Sequence, residues 1–173
     1  MLKALRRAAA RRRTASELAI AIVRRGLSPS FYQRFAVPDT FNGRFDMVSL
    51  HAFLVLSALE GEADRDLSQD LVNALFHSFE DALRDQGAGD IGMTRRIQKI
   101  AGAFYGRLEA YRAATTREEI AAVMLRNLYG DDGRFQTQAL ELAAYMERAR
   151  LSLEPETLAA GIAAFVPLPD EEG

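Results

Sequence analysis

The stretch DMVSLHAFLVLSAL, residues 46–59, decides the fold class. Met47, Val48, Leu50, Phe53, Leu54, Val55, Leu56 and Leu59 leave a helix over these residues with almost no polar face, the pattern of a helix enclosed by other helices. Asp46 is placed to cap its start. An enclosed helix needs neighbours, and the flanking sequence supplies them. After a charged loop at 60–66, Leu67, Leu71, Val72, Leu75, Phe76, Phe79 and Leu83 form one apolar stripe that stops at Gly87, with an acidic and polar face opposite. A glycine-punctuated turn leads to a helix over about 93–113, striped by Ile97, Ile100, Phe104, Leu108 and Tyr111. Thr116-Arg117-Glu118-Glu119 reads as a capping box for a helix ending before Gly130, another amphipathic helix is expected over 135–150, and Pro155 starts a short last one.

Upstream, Thr14-Ala15-Ser16-Glu17 has the form of a capping box and predicts a helix over 15–25, stopped by Gly26 and Pro29. Residues 27–45, LSPSFYQRFAVPDTFNGRF, combine two prolines and an Asn-Gly turn with five aromatic side chains, a load that fits an ordered segment laid over a core. The expected architecture is all-α: a single compact helical domain of about six to seven helices at 14–166, with a basic N-terminal tail at 1–13 and an acidic C-terminal tail at 167–173.

Composition narrows the chemistry. The 173 residues are 49% apolar and 27% charged, the balance of a soluble globular chain. With no cysteine, thiolate nucleophiles, iron–sulfur clusters and cysteine zinc sites are excluded, and His51 and His77 are the only imidazoles. The chain has no GxSxG elbow, phosphate-binding GxxxxGK[ST] loop or HExxH pair. Asp64, Asp66, Ser68 and Asp70 imitate a calcium loop, but Gln69 and Leu75 stand where the turn glycine and the bidentate Glu belong. His77 reads as solvated, and His51, within the most apolar helix, as a neutral core histidine bonded to a neighbour. No metal, cofactor or enzymatic activity is expected.

Charge is distributed unevenly. Lys3, Arg6, Arg7, Arg11, Arg12 and Arg13 precede the first acid, Glu17, so a net charge of −2 leaves residues 14 to 173 at −8. Such a head suits an anionic membrane surface or a ribosome, while its bland alternative is a solvated, frayed terminus. No apolar run reaches the length of a membrane span, and Leu18 to Val23 is too short for a signal segment. The Arg- and Ala-rich start also resembles a mitochondrial transit peptide, but the residues after it read as folded structure, so a cytoplasmic protein peripheral to the inner membrane is expected.

On the helix at 93–113 the face opposite the apolar stripe gathers Arg96, Lys99, Ala103, Gly106 and Arg107, with Gly102 and Arg95 at its edge. Gly102 and Gly106 have the GxxxG spacing that lets helix backbones approach closely. Two readings stay open. Either a neighbouring helix of the same domain packs on the glycines, or the small residues and flanking cations form a surface for an acidic or phosphate-bearing partner.

Two blocks, VPDTFNGRFDMVSLHAFLVLSAL at 37–59 and GAGDIGMTRRIQKIAGAFYGRLEAY at 87–111, resemble the ubiquinol–cytochrome c chaperone family, assembly factors of the cytochrome bc1 complex. The preceding SELAIAIVRRGLSPSFYQRFAVPDT is similar to that family too, so the likeness covers roughly 15–130. The resemblance implies an all-helical, non-enzymatic factor that binds newly made cytochrome b, in some members with a small partner protein. The matching positions are Asp39, Thr40, Gly43, Arg44, Phe45, Asp46 and His51 in the first block, and Gly87, Gly89, Asp90, Arg96, Lys99, Phe104, Tyr105, Gly106 and Arg107 in the second. Met93-Thr94 departs from the pattern at the helix start. In bland terms Asp39 and Asp46 cap turns or helices, Gly43 supplies a positive φ, and Phe45 and Phe104 are core. The expected client surface comprises Arg44, Phe45, His51, Asp90, Arg96, Lys99, Gly102, Gly106 and Arg107, bordering a groove between the helix at 93–113 and the aromatic segment at 31–45. The competing class is a helical ribosome- or nucleic-acid-associated module without a membrane client; no sequence-specific nucleic acid contact is expected, since residues 14–173 are acidic.

Overall fold

The structure, a computed structural model, describes residues 1–87, 89 and 92–168. Within these, eight α-helices follow in order: α1 (Leu2–Gly26), α2 (Pro29–Arg34), α3 (Phe41–Ala58), α4 (Arg65–Asp85), α5 (Met93–Ala113), α6 (Arg117–Tyr129), α7 (Gln136–Ser152) and α8 (Pro155–Ala159). Short 3₁₀ turns precede α4 and α7. Among the described residues there is no strand, so the all-α expectation holds.

The apolar stretch is the central element. Every residue from Phe45 to Val55 is buried, and α3 touches α1, α5, α6 and α7. Around it α1 packs on α4 and α6 on α7, so the chain forms two helix pairs with α3 between them. At the end of α1, a Cβ on Gly26 would lie 2.9 Å from the Val48 amide nitrogen, so only glycine lets α1 cross α3 backbone to backbone.

Two helix starts differ from the sequence reading. Asp46 does not cap α3; the helix begins five residues earlier at Phe41, where Thr40 accepts a hydrogen bond from the Gly43 amide at 3.2 Å. The Asn-Gly pair at 42–43 therefore lies in the first helical turn, because the Thr cap outcompetes the turn propensity of the dipeptide. The Thr14 capping box does not form either. Helix α1 starts at Leu2, so residues 2–13 are helical where a tail was expected, and Arg13 pairs with Glu17 at 3.2 Å. Ala- and Arg-rich sequence has high helix propensity, and a helix already propagating through residue 14 needs no cap there. By contrast, the box at Thr116 and Glu119 is formed reciprocally, and α5 and α8 begin at Met93 and Pro155 as the sequence indicates.

Candidate functional site

The two blocks that carry the family resemblance meet in space. Asp46 of α3 is buried and receives a hydrogen bond from the Arg107 guanidinium of α5. Arg107 also donates to the Ala103 carbonyl at 3.1 Å, and its guanidinium sits 4.9 Å above the Phe45 ring. Phe45 packs edge-on against Phe79, which in turn meets Phe104. Burial pushes the Asp46 carboxyl up from its ordinary range, and the Arg107 hydrogen bond pulls back against that shift. The pair is a clamp between α3 and α5 that removes the Asp46 carboxylate from any client surface, while the Arg107 side chain stays 21% exposed and Phe45 lines a cleft.

His51 is also removed from any such surface. It is fully buried, with Nδ1 2.7 Å from the Met47 carbonyl and Nε2 2.9 Å from the Tyr145 hydroxyl. A carbonyl only accepts, so Nδ1 carries the proton and Nε2 accepts from Tyr145. Arg25 donates to the Tyr145 oxygen at 3.1 Å and to the Val166 carbonyl at 2.8 Å, tying the C-terminal segment over this relay. Burial depresses the His51 pKa to about 3, so it is the neutral core histidine the sequence suggests. His77 is exposed, 3.9 Å from Glu80.

Gly43 does not have a positive φ. Its role is close approach, because a Cβ there would overlap the Pro38 carbonyl oxygen. Arg44 and Asp39, both exposed, pair at 2.7 Å, which holds the Asp39 carboxyl below its usual range. Asp90 lies outside the described residues.

Helix α5 turns Arg95, Lys99, Gly102, Gly106 and Glu109 to solvent, with Arg96 exposed at the edge nearer Arg107. Among the described residues the glycines accommodate no helix of the same domain: a Cβ on Gly102 or Gly106 would meet nothing within 4 Å. Tyr105, half exposed and stacked on Phe76, flanks the strip; it stands among the family-matching positions of the second block but not on the expected client surface. Phe31 and Phe35 are buried, and Phe41 and Phe45 line a separate cleft of about 460 Å³ bounded by α1, α3 and α4. That cleft is not bounded by α5, as the expected groove between α5 and the aromatic segment would be. Of the basic head, Arg11 is turned onto α4, bonding Asp66 at 2.8 Å and Asp70 at 2.7 Å; Lys3, Arg6, Arg7, Arg12 and Arg13 are exposed.

The model of the ubiquinol-cytochrome C chaperone family matches residues 33–164.

The chain belongs to that family.

A chaperone family is not an enzyme class. The match runs through α6, α7 and α8, beyond the reach of the likeness visible in the sequence, which fades near 130. A crystal structure of the Cbp3 homolog from Brucella abortus superposes with a TM-score of 0.83 at 34% identity, covering 96% of this chain and 97% of that one. The ubiquinol-cytochrome-c reductase complex assembly factor 1 of Xenopus laevis is 22% identical over 102 residues, which are 57% of this chain. The chain matches about half the length (51%) of that relative.

Proposed function

We propose that this protein assists assembly of the ubiquinol–cytochrome c reductase complex by holding newly made cytochrome b, and that the outward strip of α5 is where the client docks. Family membership supports the assembly role. The name of the Xenopus relative supports the complex as destination. The strip is carried by one observation: Gly102 and Gly106 stand in the middle of a 21-residue helix with no intramolecular neighbour to accommodate among the described residues. Each costs the helix about 1 kcal/mol relative to alanine. A partner helix that comes close to the backbone there is the compensation, and a membrane-spanning client offers such helices before its own bundle is complete. Lys99, Arg95 and Arg96 supply charge for the polar ends of that client.

The test is affinity recovery of the tagged protein from membranes solubilised during active synthesis. Recovery of cytochrome b ahead of the other subunits is the expected result, together with any small partner protein. Gly102→Leu with Gly106→Leu should abolish it, and Arg96→Glu with Lys99→Glu should weaken it, while the fold stays intact by circular dichroism. Undiminished recovery with both pairs of substitutions would remove α5 as the docking face. Recovery of ribosomal RNA and proteins alone would favour the ribosome-associated module.

A further inference from the structure

We infer that the outer face of α1 is a docking surface for an anionic lipid bilayer. Among the described residues eight large apolar side chains are exposed, and five of them, Met1, Leu2, Leu5, Ile20 and Leu27, lie on this one helix or at its ends. They are not scattered around it. At 100° per residue Leu2, Leu5, Ala9, Ser16 and Ile20 fall within a sector of about 60°, on the side away from the buried Ala15, Leu18 and Ile22, and Leu27 follows directly after the helix. Leu2 and Leu5 are 64% and 61% exposed and Ile20 is 58% exposed, so the domain leaves this spine uncovered along a helix of 25 residues, roughly 37 Å.

Cations border the spine. Arg6, Arg13 and Arg24 follow it on one side and Arg12 on the other. Among the described residues Lys3, Arg6, Arg7 and Arg12 make no ion pair, in contrast to Arg11, which is held by Asp66 and Asp70. Helix α1 carries eight basic side chains and one acidic one, which leaves the rest of the chain at −9. A negatively charged surface therefore attracts α1, the most basic helix, ahead of α5, which carries five basic side chains and one acidic one, and the apolar spine decides which face of α1 goes down. The same charge on a second copy disfavours pairing through the spine.

The apolar spine separates lipid from RNA. Phosphates of either bind the arginines, but only a bilayer interface takes up Leu2, Leu5 and Ile20, in the manner of an amphipathic helix lying in the headgroup plane. This inference does not depend on the client reading, because a vesicle without protein contains no client.

The chain has no tryptophan, so Leu5→Trp and Ile20→Trp each introduce a single fluorescent reporter into the full-length protein. With vesicles of phosphatidylglycerol and phosphatidylcholine, both should shift to the blue and be quenched by brominated acyl chains, at low salt far more than at high salt. Pure phosphatidylcholine should give little of either effect. Replacing Leu2, Leu5 and Ile20 by serine keeps every charge and should weaken vesicle binding about a hundredfold. Quenching at position 5 without position 20 would overturn the face-down helix. Undiminished vesicle binding by the serine variant, or binding to homopolymeric RNA with none to vesicles, would overturn the lipid assignment.

Discussion

Replacing Arg107 by methionine keeps most of the apolar stem of the side chain and removes only the charge that faces Asp46. The carboxylate then remains inside the α3–α5 contact, 2% exposed and without its cation. Breaking a buried pair from one side costs about 3–5 kcal/mol, because the surviving charge has neither water nor partner. Loss of the guanidinium over Phe45 adds about 0.5–1 kcal/mol. For a domain of this size the melting temperature should fall by about 10 °C or more. Asp46→Asn is milder, about 1–2 kcal/mol, since it leaves no buried charge and Arg107, 21% exposed, still reaches water. The two changes share one interaction, so the double variant should be less destabilised than the sum by about 2 kcal/mol. Acidity gives an independent signature. Burial already raises the Asp46 pKa and Arg107 opposes that rise, so Arg107→Met moves it further up. A carboxyl whose folded pKa lies above its unfolded value destabilises above that pKa and is relieved as pH falls towards it. The deficit of Arg107→Met should therefore narrow between pH 7 and pH 5, and Asp46→Asn should abolish the narrowing. Urea denaturation of the four proteins at both pH values is the assay. Equal losses for the two single variants, full additivity and no pH effect would refute the clamp.

Neighbouring features carry further expected outcomes. His51 has its pKa depressed to about 3, so it contributes stability above about pH 6.5 that is lost as pH falls towards 3; wild type should lose about 2 kcal/mol between pH 6.5 and 5 from this group, and His51→Phe should show a shallower slope in the same denaturation series. Gly43→Ala should cost more than about 2 kcal/mol, because its methyl group overlaps the Pro38 carbonyl where no flexible side chain can yield. Gly102→Ala with Gly106→Ala should do the reverse, raising stability by about 1–2 kcal/mol since nothing lies within 4 Å; if thermal melting shows no gain, the strip is covered in the protein after all.

The sequence by itself determined the helical class, the central position of the 46–59 stretch and most helix limits, because these depend on local spacing: an apolar run without a polar face, a Thr-x-x-Glu box, a proline in a first turn. It also carried the family, through two blocks of unusual residues. Long-range pairing was beyond it. That Asp46 meets Arg107 rather than capping a helix, and that Gly102 and Gly106 face solvent, depend on how α3 and α5 cross, and no periodicity along one helix encodes that crossing. Likewise, Leu2, Leu5 and Ile20 are ordinary helix residues in the sequence. They became a surface only when tertiary packing used the opposite side of α1 and left theirs bare. Local propensity is read from one segment, whereas exposure is decided by which other segments arrive, and that is a property of the assembled domain.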